Sequence, residues 1–470
     1  LDQAYDADRF RTRGHQLIDA LADRLSAMTA GSNEHVLNWI TPEKAISEVQ
    51  NWPDGMSVFE SLLDRCISLH DPRFMGHQIM PPLPVSSLAG LVSDFSNNGM
   101  GVFEMGIGGT TVEHLIIKEV AARIGFDGNA GGFLTSGGSL ANLTAMLAAR
   151  SRKCPDVWQE GSQQKLALMV SDQSHYCVDR AARIMGWGAE GVIKIQSDSR
   201  FRMRTETLER ELEAARRKGI QVIAVVGSAC TTSTGSYDDL QEIGRFCRQH
   251  DLWFHVDGAH GAAAVFSAKY KSLVKGIELA DSVTLDFHKM LMAPAITSAL
   301  VFRDGRTAYG SFAQQADYLW SDSSEEEWYN LAKRTFECTK TMMCLKVYSI
   351  VAMHGWEIFD ENVTRLNDRA REFAEMISVS EDFELAVEPE TNIVCFRYKG
   401  TDSGDSSPGS SLNASVRKSL IEEGEYYIVQ TTLSGRTWLR TTVANPFTTE
   451  THFRGLLDKI RQHVISAISS

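Results

Sequence analysis

The chain has 470 residues, of which 43% are hydrophobic and 23% charged, as in an ordinary globular protein. Its formal net charge of −13 argues against nucleic acid or anionic membranes as partners, because few cations are left to neutralise phosphates. The sequence shows no apolar run of the length that spans a bilayer, no signal-peptide pattern and no cysteine spacing typical of a metal site. We therefore expect a cytoplasmic protein with reduced thiols and without a metal.

The first predicted element is an amphipathic helix over residues 6–28, with apolar residues at helical spacing from Phe10 to Leu25. A helix of this kind needs an apolar surface to pack against. That surface belongs either to the rest of the chain or to a second subunit.

Short apolar runs alternate with helical stretches between about residues 130 and 305. Six of these runs are predicted strands, at 165–171, 191–196, 221–227, 252–256, 281–286 and 298–303. Helical patterns lie between them, as at 204–218 and 237–250. This alternation predicts an α/β fold with a mainly parallel sheet covered by helices on both faces. Since ligands bind at the carboxyl ends of such strands, the residues there are candidates for a site.

The pattern changes beyond about residue 350 to that of a smaller α+β domain. Its predicted elements are a long helix at 355–377, a strand at 390–398 and a Gly- and Ser-rich linker at 400–411. A helix follows the linker, then strands at 425–443 and a closing helix from about Thr448. We expect three parts in the chain: an N-terminal helical segment of residues 1–75, a large domain of residues 76–350, and a small domain of residues 351–470.

A glycine-rich junction precedes the strongly helical run 140–150 and contains Gly137, Gly138 and Ser139. Glycines at the start of a helix let the backbone approach a phosphate, and the helix supplies free N–H groups and a partial positive charge. The alternative is a glycine-rich turn with a serine cap.

His175 follows the predicted strand 165–171. A histidine at a strand end is often structural. Facing a planar cofactor, its imidazole would stack on the ring and contact a substrate carboxylate.

Asp257 and Ala259 follow the predicted strand 252–256. An aspartate leaving a buried strand needs a charged or donating partner, and a protonated pyridine nitrogen is one. A helix cap is the alternative role for Asp257. Ala259 is small enough to lie against a ring face.

Lys289 follows His288 after the apolar run 282–285 and precedes further apolar residues. In that setting we expect desolvation to lower the pKa of Lys289 and to expose a nucleophilic amine suited to a Schiff base. A surface lysine beside a histidine is the alternative.

A phosphate loop, a ring-facing histidine, a pyridine-pairing aspartate and a Schiff-base lysine thus occur in order, each at a strand end or loop. With them, the chain resembles the group II pyridoxal-phosphate decarboxylases, which include aromatic amino acid, glutamate and diaminobutyrate decarboxylases. The matching segments are DPRFMGHQ (71–78), NNGM (97–100), TSGGSLANLTAMLAAR (135–150), SDQSH (171–175), TTSTGSYDDL (231–240), HVDGAHG (255–261), DFHKML (286–291) and LRTTVANPFTT (439–449).

The resemblance implies a fold-type I enzyme that binds pyridoxal 5'-phosphate, and a homodimer with active sites at the subunit interface and swapped N-terminal helices. It implies that His175 stacks on the ring, that Asp257 pairs with the ring nitrogen and that Lys289 forms the Schiff base. The implied phosphate ligands are Gly137, Gly138, Ser139, His288 and either Thr232 or Ser233.

The implied reaction is decarboxylation of an L-amino acid to its amine and carbon dioxide, which requires an acid that protonates Cα. In the family this acid is a tyrosine on a loop beyond the lysine, and Tyr329 is the candidate, with Tyr318 second. Relatives that lose the tyrosine form aldehydes by oxidative decarboxylation. A loop anchor is the alternative role for Tyr329.

The residues that match the family's side-chain pocket, 76–81, include His77 and Gln78 but no arginine suited to an acidic substrate. We therefore expect a basic, diamino or aromatic amino acid as the substrate, ahead of glutamate.

Other activities stay open. A class V aminotransferase would use Arg440 for the substrate carboxylate, and a cysteine desulfurase or other carbon–sulfur lyase would use Cys338 or Cys344. A non-catalytic scaffold would not need Asp257 and Lys289.

Overall fold

A computed structural model describes residues 1–312, 327–399 and 412–469 of the chain. The chain forms two compact units, one of Leu1–Pro81 with Leu366–Ser470 and the other of Pro82–Arg365. The division into three parts at residues 75 and 350 stays a prediction. The predicted linker at 400–411 lies outside the described residues.

Helices cover much of the described chain, and they include those predicted at 6–28, 204–218, 237–250 and 355–377. They are α1 Ala7–Thr29, α2 Pro42–Val49, α3 Ser57–Arg65, α4 Pro84–Ser96, α5 Ile107–Ile124, α6 Gly138–Lys153, α7 Val157–Glu160, α8 Tyr176–Ile184, α9 Leu208–Arg217, α10 Leu240–Gln249, α11 Cys344–His354, α12 Glu357–Ser378, α13 Leu412–Glu423 and α14 Glu450–Ser469. None of those described is long and apolar enough to cross a membrane.

The strands form one sheet in each unit. They are β1 Gly131–Thr135, β2 Lys165–Ser171, β3 Val192–Ile195, β4 Ile220–Ser228, β5 Trp253–Asp257, β6 Ser282–Asp286, β7 Ser298–Phe302, β8 Phe383–Leu385, β9 Ile393–Tyr398, β10 Val429–Leu433 and β11 Arg436–Thr442. The six strands predicted between residues 165 and 303 are confirmed as β2 to β7.

The large sheet has the strand order β1-β7-β6-β5-β4-β2-β3. Its pairs are parallel from β3 to β6, whereas β7 runs antiparallel to both β6 and β1. The prediction of a mainly parallel sheet is therefore confirmed. Strand β1 was not predicted, because its two glycines weaken the strand pattern.

The central strands are buried along nearly their whole length, as a sheet covered on both faces requires. Helix α6 packs across β4 to β7. This arrangement brings the first turn of α6 to the end of the sheet where β5 and β6 finish.

The second sheet is antiparallel, with the order β10-β11-β9-β8. Helix α13 packs on α14 and on β11. The predicted small α+β architecture is confirmed, and the short strand β8 is an addition.

Helix α1 begins after Asp6, whose side chain accepts a hydrogen bond from the Arg9 amide at 2.8 Å. This is an aspartate cap of the usual kind. The predicted helix is confirmed, and its apolar residues Phe10, Ile18 and Leu21 are exposed.

Candidate active site

The carboxyl ends of two adjacent parallel strands carry the central charged residues. Strand β5 ends at Asp257 and strand β6 at Asp286, and Asp257 pairs in register with Thr284. Because these ends meet at one edge of the sheet, the two carboxylates and the lysine three residues further on come together.

Lys289 forms an ion pair with Asp286, with 3.0 Å between Nζ and Oδ2. Ser298 on β7 donates a hydrogen bond from its hydroxyl to the other carboxylate oxygen of Asp286. Burial by itself lowers the pKa of Lys289, but the charge and hydrogen bond of Asp286 outweigh it, and the pKa is raised. The expectation of a lowered lysine pKa was therefore wrong, because it counted desolvation and not the neighbouring carboxylate.

Asp257 is buried, with 8% of its surface exposed. Burial raises its pKa, against the opposing charges of His175 and Lys289. Its Oδ1 accepts a hydrogen bond from the Ala259 amide at 3.3 Å. An ionised carboxylate in this position requires a cation or strong donor close by.

His175 caps helix α8, and its Nδ1 accepts a hydrogen bond from the Cys177 amide at 3.3 Å. Burial lowers the pKa of the imidazole, while the Asp257 carboxylate opposes the shift. A neutral ring with its proton on Nε2 satisfies this geometry.

The glycine-rich junction forms the start of helix α6. Gly137 has a φ of 114°, which side chains other than glycine rarely adopt. A Cβ on Gly138 would lie 3.0 and 3.1 Å from the carboxylate oxygens of Asp286 and 3.4 Å from the Ala259 Cβ. Gly138 therefore keeps open the space between the helix start and the Lys289 cluster, and exposed Ser139 lies in the first turn.

His288 and Thr232 are the remaining predicted phosphate ligands. His288 is buried, and its Nδ1 accepts a hydrogen bond from the Thr297 amide at 3.2 Å. Its Nε2 lies 3.6 Å from Asp286 Oδ2. Thr232 is half-buried, beside Ser233, whose hydroxyl donates to Gln173 at 3.2 Å.

A buried network of hydrogen-bonded side chains, which the sequence did not reveal, lies beneath the site. Trp253 Nε1 donates to Ser282 Oγ at 2.9 Å, and Ser282 Oγ lies 2.8 Å from His255 Nδ1. His255 Nε2 lies 2.9 Å from Asn142 Oδ1, and Asn142 Nδ2 lies 3.2 Å from Cys177 Sγ. This network connects β5 and β6 to helices α6 and α8.

Tyr329 lies against other aromatic rings, at centroid distances of 5.4 Å from Phe103 and 5.8 Å from Trp328. Among the described residues, no hydrogen bond or ring contact joins Tyr329 to the Lys289 cluster. Tyr318 lies outside the described residues.

His77 and Gln78 belong to the other compact unit, where His77 lies 5.9 Å from the Tyr427 ring between centroids. Desolvation and the charges of Arg440 and Arg417 lower the pKa of His77. Gln78 Nε2 is buried without a hydrogen-bond partner in the described part of the chain.

The Lys289 cluster fits pyridoxal 5'-phosphate. Asp257 is a buried carboxylate in need of a positive partner, which a protonated pyridine nitrogen supplies, and Gly138 holds open a helix start suited to a phosphate. Lys289 would supply the amine that the cofactor needs for its attachment. The fold and the cluster define a pyridoxal-phosphate enzyme built on a mainly parallel sheet.

Comparisons with known proteins agree with a pyridoxal-phosphate enzyme. Residues 60–399 match the family model described as the pyridoxal-dependent decarboxylase conserved domain. The chain is 26% identical to an aromatic-L-amino-acid decarboxylase of Bacillus atrophaeus, over 97% of this chain and 95% of the relative. It is 30% identical to the cysteine sulfinic acid decarboxylase of Mus musculus, over 91% of each. A crystal structure of mouse CSAD has the same fold, with a TM-score of 0.90, 24% identity, and coverage of 97% of this chain and 99% of that one.

The chain belongs to the pyridoxal-dependent decarboxylase family. It is an amino-acid decarboxylase, a carboxy-lyase that uses pyridoxal 5'-phosphate. When bound, the cofactor supplies an electron sink for the bond to the departing carboxylate.

Proposed function

We propose that Lys289 carries the cofactor covalently and that the groups around it prepare the release of carbon dioxide from an L-amino acid. The observation that carries this proposal is the ion pair of Lys289 with Asp286 beside buried Asp257. Asp286 holds the Lys289 amine at the strand ends. A base must remove a proton from this amine before it can act as a nucleophile.

The remaining groups bind and orient. The Asp257 carboxylate would pair with the ring nitrogen and keep it protonated, and His175 and Ala259 would lie against the ring. The groups that hold the phosphate are Gly137, Gly138, Ser139, Thr232 and His288. The position of Gly138 at the start of α6 supports this assignment.

Replacement of Lys289 by alanine tests the attachment. We expect Lys289→Ala to lose borohydride-stable attachment of pyridoxal phosphate, measured by mass spectrometry of the digested protein. Lys275→Ala, a change at an exposed lysine of the same unit, is the control and keeps it. Attachment at full level in Lys289→Ala would refute the assignment.

Tyr329 is the proposed donor of the proton to Cα. Its ring packs against Phe103 and Trp328, and the support for the role is the family resemblance of this segment. Loss of this donor would divert the enzyme to aldehyde formation or stall it.

The proposed substrate is a basic, diamino or aromatic amino acid, since residues 76–81, with His77 and Gln78, carry no arginine or lysine. A second candidate is an acidic amino acid. It is favoured by Arg417 and Arg440, whose charges act on His77 and suit an anionic group.

An amino-acid panel separates these candidates, with carbon dioxide and amine measured together. Release from basic, diamino or aromatic substrates supports the first, and release from glutamate, aspartate or cysteine sulfinate alone supports the second. An oxo acid or sulfide as the main product would instead favour an aminotransferase or a carbon–sulfur lyase. Cys344 suits the latter poorly, because burial raises the pKa of its thiol to about 12.

A homodimer is the proposed assembly, and apolar side chains exposed on two helices support it. They are Phe10, Ile18 and Leu21 on α1 and Leu88, Leu91, Val92 and Phe95 on α4. Isolated chains rarely expose such groups together. In light scattering we expect a dimer that Phe95→Glu weakens and that Val379→Glu, at another exposed apolar residue, leaves intact. A monomeric wild-type protein would refute the assembly.

The proposed location is the cytoplasm, whose reducing conditions suit the buried thiols of Cys177 and Cys247. Fractionation of cells that express the tagged protein tests this location, and recovery outside the cytoplasmic fraction would contradict it.

A further inference from the structure

A cavity lies in the unit that contains Lys289, at the ends of strands β1 and β7 that are remote from the Lys289 cluster. It has a volume of about 400 Å³. Its wall includes Gly131, at the start of β1, and Asp304, just after β7. The other ends of these strands, at Thr135 and Ser298, adjoin the Lys289 cluster, so about 13 Å of strand separates the two sites.

Cations dominate the wall of this cavity. Lys118, Arg306 and Arg334 line it, and the acidic side chain in its lining, Asp304, is paired with Arg306 at 2.7 Å. His114 also lines it, and its pKa is lowered by burial and then by the charges of Lys118 and Arg334. The described residues that line the cavity therefore carry a net positive charge near neutral pH.

Arg334 is the most informative of these residues, because only 5% of its surface is exposed. One of its terminal nitrogens donates to the Trp328 carbonyl at 2.6 Å, but its buried Nε has no hydrogen-bond partner in the described parts of the chain. Among the described residues no carboxylate forms an ion pair with it, and burial lowers its pKa against the opposing charges of Tyr309 and Glu113. A buried guanidinium without an ion-paired anion is costly, and a bound anion would offset that cost.

The rest of the wall suits a small polar ligand. Trp328 and Tyr309 supply aromatic sides, and the backbone of residues 128–132 supplies polar groups. Gly131 and Gly305 approach so closely that a Cβ on either would lie 3.0 Å from the other's Cα. Their lack of side chains lets the two backbone segments lie side by side at this end of the cavity.

We infer that this cavity binds a small oxyanion-bearing molecule, a carboxylate or a phosphate, with Arg334 as its main anchor and Lys118 and Arg306 contributing charge. The guanidinium plane of Arg334 matches both kinds of anion. This binding is separate from that of the cofactor.

Calorimetric titration of the holoenzyme tests the inference, with inorganic phosphate and citrate as probes. Saturating pyridoxal phosphate fills the cofactor's own phosphate site, so that binding there does not confuse the result. We expect one probe per chain and an affinity that falls with added salt. Arg334→Gln is expected to weaken binding about 10- to 100-fold, and Arg306→Gln to weaken it less.

Arg217→Gln is the control, because Arg217 is an exposed arginine on α9 that does not line the cavity. Circular dichroism checks the fold of each variant, and if Arg334→Gln does not fold, Lys118→Gln and Arg306→Gln decide. Preference for citrate or for phosphate identifies the kind of anion. The inference fails if the wild-type holoenzyme binds neither probe saturably, or if folded cavity variants bind as tightly as the control.

Discussion

We expect the buried His255 to make the folded protein less stable in acid. The ring lies between Ser282 and Asn142, at 2.8 and 2.9 Å, and it is neutral there because burial lowers its pKa to about 3. In the unfolded chain its pKa is about 6.5. Since the folded value is the lower one, the stabilisation is complete above pH 6.5 and is lost as the pH falls towards 3.

The size of this effect follows from the two pKa values. At pH 5 the unfolded histidine is protonated and the folded one is not, which costs about 2 kcal/mol of unfolding free energy relative to pH 7. His255→Gln keeps a side-chain donor for Asn142 but does not titrate. We expect the variant to be less stable than the wild type at pH 7 and to lose about 2 kcal/mol less between pH 7 and pH 5.

Urea unfolding of both proteins at the two pH values measures the difference. All other titrating groups are common to the pair, so their contributions cancel in the comparison. Ser267→Ala, at another buried hydrogen-bonded residue, shows whether any loss of stability produces the same change. If wild type and His255→Gln lose equal free energy between pH 7 and pH 5, the assignment of a neutral, acid-labile His255 is refuted.

Three further predictions concern the active site. Asp286→Asn removes the carboxylate that raises the pKa of Lys289, so pyridoxal phosphate is expected to attach to the apoenzyme rapidly at lower pH than in the wild type. Ser298→Ala is the milder control. Identical pH profiles of attachment for Asp286→Asn and the wild type would contradict the role of the ion pair. Gly138→Ala places a Cβ against Asp286 and is expected to weaken cofactor binding about 10-fold or more, measured by equilibrium dialysis; unchanged affinity would show that the space is not needed. Tyr329→Phe is expected to retain the cofactor but to lose amine yield or form aldehyde, and an unchanged yield would remove Tyr329 from the reaction.

The sequence determined the strands of the large sheet and the residues at their carboxyl ends. Long buried runs such as 221–227 predict strands because both faces of a parallel sheet are covered, and a polar residue such as Asp257 stands out at the end of such a run. The same logic located Lys289. Strand β1 escaped prediction because Gly131 and Gly132 carry no side-chain pattern.

Tertiary structure decided the electrostatics. The sequence placed Lys289 among apolar neighbours and suggested a lowered pKa, but the turn after β6 brings the Asp286 carboxylate within 3.0 Å of its amine and reverses the shift. The choice between a basic and an acidic substrate also depends on charges that come together only in the tertiary structure. No arginine occurs at 76–81, yet Arg417 and Arg440, more than 300 residues further along the chain, act on His77 in the folded unit.

The buried hydrogen-bond network through His255 and the cavity at Arg334 also become visible only in the tertiary structure. Asn142 and His255 are 113 residues apart in sequence, and nothing in either local pattern indicates that they pair. Spacing along a sequence reports which face of a strand or helix a residue occupies. Charges and hydrogen bonds act through space, so the partners that set the pKa of a group are known only when the strands and helices are packed.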